Sequence, residues 1–323
     1  MAACKPHMFK IEPKPFGFFT KINLVNPQTK EYVSIIPEFG ANVNEMVLNK
    51  NGINHSILDG SKSYSELIKN EWFKGAKLIP FPNRINNGQY SFDEKKYQLP
   101  INFPLQNHAI HGLLYDKKFR VKERIVTEKQ ASVTLEHFYK GKIQGYPFRF
   151  NTSIKYSLTE NKGFKCVTLI KNLDTTRIPI GDGWHPYFKT RGKVNNLSIR
   201  VPSTQKIEVN KRTIPTGNII SFKNYSSLSK IGKEELDTGF LLKKKGGIAS
   251  TEVYDPKQDL KILLWQETGK MKYNYLQVFI PPSRKSIAIE PMTCNIDVFN
   301  NEKGLIVLAP KQSFKASYGV SLT

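Results

Sequence analysis

Cysteine is scarce in this chain: three residues in 323, at Cys4, Cys166 and Cys294, with no CxxC pair and one left over from any pairing. That spacing supports neither a disulfide framework nor a zinc site. Long apolar runs are missing too, and with them any helix able to span a bilayer. The first ten residues lack the apolar stretch of a secretory signal, so a reduced cytoplasm is the expected setting. Acidic residues are few: 27 against 49 basic ones, a net charge of +22. Arginine is rarer still, supplying only 9 of the 49. Nucleic-acid readers gather Arg and Lys on one face and carry a recognisable module. Here the lysines are scattered, with Lys95-Lys96, Lys117-Lys118 and Lys243-Lys244-Lys245 the only notable runs. Neither a nucleic-acid nor a membrane partner is expected. The charge implies solubility and weak attraction of anions.

Long helical periodicity is likewise absent, and residues 64–72 are the best candidate for one short helix. What is present is a period of two. Phe148, Phe150, Ile154, Tyr156 and Leu158 alternate with Arg149, Asn151, Ser153, Lys155 and Ser157, the pattern of a half-buried antiparallel strand. Further β-rich runs cover residues 32–36, 132–139, 164–170, 261–265, 275–280, 286–290 and 304–308. Asn51-Gly52, Asn87-Gly88, Lys162-Gly163 and Pro281-Pro282 mark turns between strands. Many short strands with regular turns predict an all-β chain, a β-sandwich or related large antiparallel sheet structure with few short helices. No composition shift or internal repeat marks a linker, so residues 1–323 are expected to form one domain.

Two stretches carry most of the chemistry. Asp182-Gly183-Trp184-His185-Pro186-Tyr187-Phe188 and Ile289-Glu290-Pro291-Met292-Thr293 set His185 and Glu290 among aromatic, proline and apolar neighbours, with Asp182 opening the first stretch. A histidine and a carboxylate held apart on a rigid scaffold can move two protons on opposite sides of a small substrate. The alternative is that His185 caps a turn and Glu290 forms a salt bridge. Ile287 and Ile289 fall on one strand face and Glu290 shares the other with small Ala288, while Pro291, which cannot donate, suggests that the strand ends at Glu290.

A second polar constellation runs through Pro82-Asn83-Arg84-Ile85 and Asn107-His108-Ala109-Ile110-His111-Gly112. Arg84 is the only arginine in the first 119 residues and follows an apolar lead, which implies either a structural ion pair or a ligand hydroxyl. His111 precedes Gly112, where backbone can approach a ligand. His108 and His111 would suit a metal only on a helix, and Pro104 with Gly112 argues against one. No metal is expected. His7, His55 and His137 read as ordinary surface or strand residues, and Cys166 and Cys294 as small buried hydrophobes.

These residues resemble the aldose 1-epimerase (galactose mutarotase) family from about residue 37 to 321. The matching stretches, in the family's order, are Glu38-Phe39-Gly40-Ala41, Phe81-Pro82-Asn83-Arg84-Ile85 with Gly88 and Tyr90, His111-Gly112, Trp184-His185-Pro186-Tyr187-Phe188, Leu236-Asp237 with Phe240, and Ile289-Glu290-Pro291-Met292-Thr293 through Asp297 and Phe299-Asn300. The resemblance implies the family's β-supersandwich, Glu290 as catalytic base and His185 as catalytic acid. It implies that Arg84, His111, Asp237 and Asn83 hold the sugar. It also implies a free monosaccharide substrate such as galactose or glucose, no cofactor, and a monomer or weak homodimer. The chain departs from the galactose-converting pattern at Leu113, where a second glycine often follows, and at Lys189-Thr190, where Asn-Leu is frequent. It resembles a divergent bacterial branch, so the chemistry is implied more firmly than the sugar.

Three other functions stay open. A sugar-phosphate 1-epimerase would need an Arg or Lys cluster beside the site, with Lys74 and Lys77 as the available lysines. A non-catalytic carbohydrate-binding protein would keep the fold without the acid and base. A glycosidase would use two carboxylates and leave the histidine idle. For His185 to start protonated among apolar neighbours it needs an acidic one, and Asp182 and Asp237 are the candidates.

Overall fold

A computed structural model describes residues 8–242 and 247–323. Cys4, His7 and the Lys243-Lys244-Lys245 run lie outside the described residues. The chain is built almost wholly of antiparallel strands, as the period of two predicts. The largest sheet has nine strands in the order Arg120–Val126, Gln130–Tyr139, Phe150–Thr159, Gly163–Asn172, Ser313–Leu322, Leu260–Thr268, Gly247–Asp255, Ser198–Arg200 and Ser229–Lys230. A six-stranded sheet runs Tyr187–Phe188, Ile287–Met292, Tyr275–Phe279, Asp237–Leu241, Gln205–Val209 and Pro215–Ser221. The first five strands, from Lys10–Phe16 to Ile53–Ser56, form a sequential meander. No helix among the described residues is long and apolar enough to cross a membrane.

One continuous apolar core joins these sheets. It takes Leu24 and Val33 from the meander, and Ile154, Phe164, Leu264 and Val320 from the nine-stranded sheet. The six-stranded sheet contributes Leu276, Val278, Ile287 and Ile289. Successive side chains on a strand point to opposite faces. With those four turned inward, Gln277, Phe279, Ala288 and Glu290 must face the other way. That second face carries the site.

Two expectations need correction. The helix spans Tyr64–Lys69 only, because Asn70 takes a left-handed conformation (φ 48°) and ends it. Trp72 is thereby freed from the helix. The strand bearing Glu290 does not end there but runs on to Met292, with Leu276 opposite Pro291 and Tyr275 opposite Met292. Proline is tolerated because only its carbonyl is used, accepting from the Trp184 amide at 3.2 Å.

Candidate active site

Register builds the floor of the pocket. Tyr187 pairs with Ala288, Ala288 with Phe279, and Phe279 with Asp237, a row across four neighbouring strands. Beside it runs a second row, Glu290 opposite Gln277 opposite Gly239. Ala288 and Gly239 are the small members, and a side chain at Gly239 would crowd Gln277. A Cβ at Gly239 would stand 3.0 Å from Ile207 Cδ1 and 3.3 Å from Gln277 Oε1. His185 precedes Tyr187 by two residues and points to the same side; its ring stacks on the Tyr187 ring at 4.9 Å and 16°. Its backbone is pinned from both directions, donating to Ala76 O at 3.0 Å and accepting from the Gly75 amide at 2.8 Å.

The walls come from distant segments. Glu71, Trp72 and Phe73 follow the short helix, and Asn83, Arg84, Phe103, Ile110 and His111 complete a pocket of about 560 Å³ open to solvent. Asn83 and His111 both adopt left-handed backbone, at φ 58° and 63°. Such conformations in non-glycine residues persist where surrounding structure fixes them, often at binding sites. The His111 amide donates to Asn83 O at 2.8 Å, joining the two walls. Gly112, at φ 78°, is required for a different reason from the one the sequence suggests. A Cβ there would lie 2.3 Å from Ile79 O, so the close approach is to the chain's own backbone and not to a ligand.

Each residue singled out from the sequence lines this pocket: Glu290, His185, Arg84, His111, Asp237 and Asn83. The two candidate catalytic groups touch, with His185 Nε2 3.4 Å from Glu290 Oε1, and they are 5% and 2% exposed. Arg84 is held on three sides. It donates from Nε to Gln106 Oε1 at 3.1 Å and from Nη1 to Asn83 Oδ1 at 3.1 Å, and its guanidinium lies 5.6 Å above the Phe103 ring. Asp237 Oδ2 lies 3.9 Å from Arg84 Nη2, while Asp237 Oδ1 accepts from Gln277 Nε2 at 2.5 Å. Arg84 is therefore ion-paired, and it also borders the pocket.

Burial dominates the electrostatics. It lowers the His185 imidazole to about 3 and raises the Glu290 carboxyl well above its usual range, helped by Asp237 and opposed by Arg84. His111 is pushed well down by burial, then by His185 and Arg84. Burial also lowers Arg84, against the pull of Asp237 and Glu290. Four buried polar atoms of the lining have no partner among the described residues: His185 Nδ1, His111 Nδ1, Glu290 Oε2 and Gln277 Oε1. Buried polar atoms are ordinarily bonded, so a set left open in one pocket suits a hydroxyl-rich ligand.

Several expectations shift in detail. Asp182 does not serve His185, because its carboxylate is taken by Lys77 and the Tyr273 hydroxyl. The acidic neighbour of the imidazole is Glu290 itself. Trp184 stacks on Tyr318 at 5.1 Å in the core, leaving Tyr187 as the aromatic face beside His185. His108 and His111 diverge: the His108 ring is bonded to the Asn87 amide and Arg212 O, away from the pocket lining. Trp72, Phe73, Phe103, Gln277 and Phe279 were not identified from sequence. For Gln277 a signal existed, as the one amide in the apolar strand Tyr275–Phe279.

The family model described as Aldose 1-epimerase matches residues 21–321. An uncharacterised protein, YihR, of Escherichia coli K12 is 31% identical over 254 residues, covering 76% of this chain and 79% of its own. A probable aldose 1-epimerase of Arthroderma benhamiae is 26% identical over 207 residues, covering 58% of this chain and 46% of its own. A galactose mutarotase-like protein from Clostridium acetobutylicum superposes with a TM-score of 0.86 at 21% identity, covering 98% of both chains. The galactose 1-epimerase from Lactobacillus acidophilus does so at 0.79 and 15%, again over 98% of both.

Proposed function

The chain belongs to the aldose 1-epimerase family, and we propose that it interconverts the α and β anomers of a free aldohexose such as galactose or glucose. The contact between His185 and Glu290, buried at the floor of a pocket with open hydrogen-bonding atoms, carries this reading. In the opening step Glu290 takes the proton of the C1 hydroxyl as the C1–O5 bond breaks, and His185 gives a proton to the ring oxygen. An open-chain aldehyde results. Half a turn about C1–C2 presents its other face, and closure reverses both proton transfers.

The pair needs one proton in total. Burial favours imidazole with carboxylic acid, whereas the opening step needs imidazolium with carboxylate. The two forms differ by one transfer across the 3.4 Å contact. Arg84 favours the carboxylate. His111, Asn83, Gln277 and Asp237 would bond the hydroxyls, and Arg84 would steady charge as it moves. The chemistry asks for no cofactor.

The lining argues against a sugar phosphate. Among the described residues Arg84 is its one Lys or Arg, beside Glu71, Asp237 and Glu290. Lys74 is paired with Asp59 and Glu66, and Lys77 is buried against Asp182. A direct test compares free galactose and glucose with glucose 6-phosphate. Faster anomerisation of a free sugar is the expected result; activity confined to the phosphate would sink the free-sugar assignment. Binding of sugar with no rate enhancement would mark a carbohydrate-binding protein.

A further inference from the structure

Behind the pocket, on the core side of the His185 segment, lies an ion pair that the reaction does not use. Lys77 and Asp182 are both 0% exposed. Lys77 Nζ lies 2.7 Å from Asp182 Oδ1, donates to Oδ2 at 2.9 Å and to Thr168 Oγ1 at 3.1 Å, and sits 5.1 Å over the Tyr318 ring. The Tyr273 hydroxyl donates to Asp182 Oδ2 at 2.6 Å. Burying two charges is costly, and an apolar pair of similar volume often serves stability as well or better. Stability is thus a poor reason for the pair. Register is a better one.

Three short extended segments lie side by side here: residues 75–78, 182–185 and 290–293. The last is the end of the strand Ile287–Met292, laddered to Tyr275–Phe279, and the other two join it only through isolated bridges (Gly183 with Met292, Lys77 with Trp184). Leu78 donates to Gly183 O and Thr293 to Asp182 O, both at 2.9 Å, while Pro291 has no N–H to give. Weakly laddered strands slip easily unless side chains fix their pairing. A slip here would leave a lysine and a carboxylate buried without partners, among the costliest defects available to a core. The amide of Asp182 also donates to Thr293 Oγ1 at 2.9 Å, so the residue that holds Lys77 also grips the strand of Glu290.

We propose that Lys77 and Asp182 are positioning residues for the proposed anomerisation: their pair locks residues 75–78 and 182–185 in register beside the strand of Glu290 and so keeps His185 in contact with Glu290. The inference rests on reading His185 and Glu290 as the reacting pair. It predicts a loss confined to the chemical step, because the pair lies behind the floor and borders none of the pocket.

The test replaces both partners together, Lys77→Met with Asp182→Leu, so that neither charge is stranded. The variant is expected to fold and to lose roughly 10–100-fold in kcat, as misplacement of a reacting group by about 1 Å does. KM should hold. A kcat equal to wild type, or a loss carried by KM alone, overturns the proposal. Tyr273→Phe and Thr168→Val each remove one bond to the pair without stranding a charge. They provide the same reading if the double variant fails to fold: each should lower kcat by a smaller factor, and unchanged kcat in both overturns the proposal. An independent arm follows the His185 ring by NMR through a pH titration. Register locking predicts a displaced titration in the altered proteins, and superimposable curves contradict it. That arm keeps the lock testable even if wild type fails to anomerise a free sugar, which would count against the proposed function instead.

Discussion

His185 Nε2 and Glu290 Oε1 lie 3.4 Å apart, with neither side chain open to bulk solvent. The imidazole arrives on an extended segment fixed at Gly75 and Ala76, and the carboxyl on a central strand paired to Gln277. Burial drives the two groups in opposite directions, and stability should record it.

Glu290 has a raised folded-state affinity for its proton, so the stability linked to that proton is complete below 4.5, the ordinary value, and is lost as pH rises through the raised one. Glu290→Gln removes this loss. It should melt above wild type at neutral pH, with the gap widening upward from about pH 4.5, a sacrifice of stability common at catalytic groups. Thermal melts across pH 4–8 (roughly the span in which carboxyl and imidazole groups differ) check it, and a variant melting below wild type throughout contradicts it.

For His185 the sign reverses. Its folded value, about 3, lies below the ordinary 6.5, so the unfolded chain binds the proton more readily and wild type loses stability as pH falls through that interval. His185→Asn should lose less over the same range. Parallel acid denaturation curves would show that the imidazole is not held neutral by burial.

Arg84 is held by Asn83, Gln106 and Asp237, a planar arrangement that an ammonium cannot copy. Charge-assisted bonds are worth about 1.5–3 kcal/mol each. Arg84→Lys should therefore lower kcat/KM by roughly 10–100-fold while the chain stays folded. Kinetics within about twofold of wild type would remove Arg84 from the binding machinery.

At the mouth, Trp72 is 38% exposed and stacks on Phe279 at 6.1 Å and 21°. A sugar entering the pocket should exclude water from the indole and change its emission, whereas Trp184 is already fully buried. Trp72→Ala should raise KM several-fold, about 1–2 kcal/mol of lost aromatic contact, with little effect on kcat. Titration of fluorescence with galactose measures it, and no response places the sugar elsewhere.

Much of the sheet structure was legible because period two is a direct print of the pleat. The run at Phe150–Thr159 alternates in the sequence itself, and it is a strand of the largest sheet. His185 and Glu290 were legible because a lone titratable residue among aromatic and apolar neighbours is unusual. The walls were not. Phe279 and Gln277 share a strand that is apolar but for Gln277, and its pairing with Ala288 and Glu290 shows which face is open. Trp72 reads as helical in the sequence, and the left-handed Asn70 ends the helix before it. Lys77 was hardest, since local sequence does not disclose that an isolated lysine lies opposite a buried aspartate 105 residues away.

The central claim is that Glu290 is the base of an anomerisation, and polarimetry of freshly dissolved α-galactose and α-glucose tests it most directly. Wild type should accelerate the decay of rotation, and Glu290→Gln, still folded, should lose about 10²–10⁴-fold of that acceleration. Equal progress curves for the two proteins would contradict the assignment.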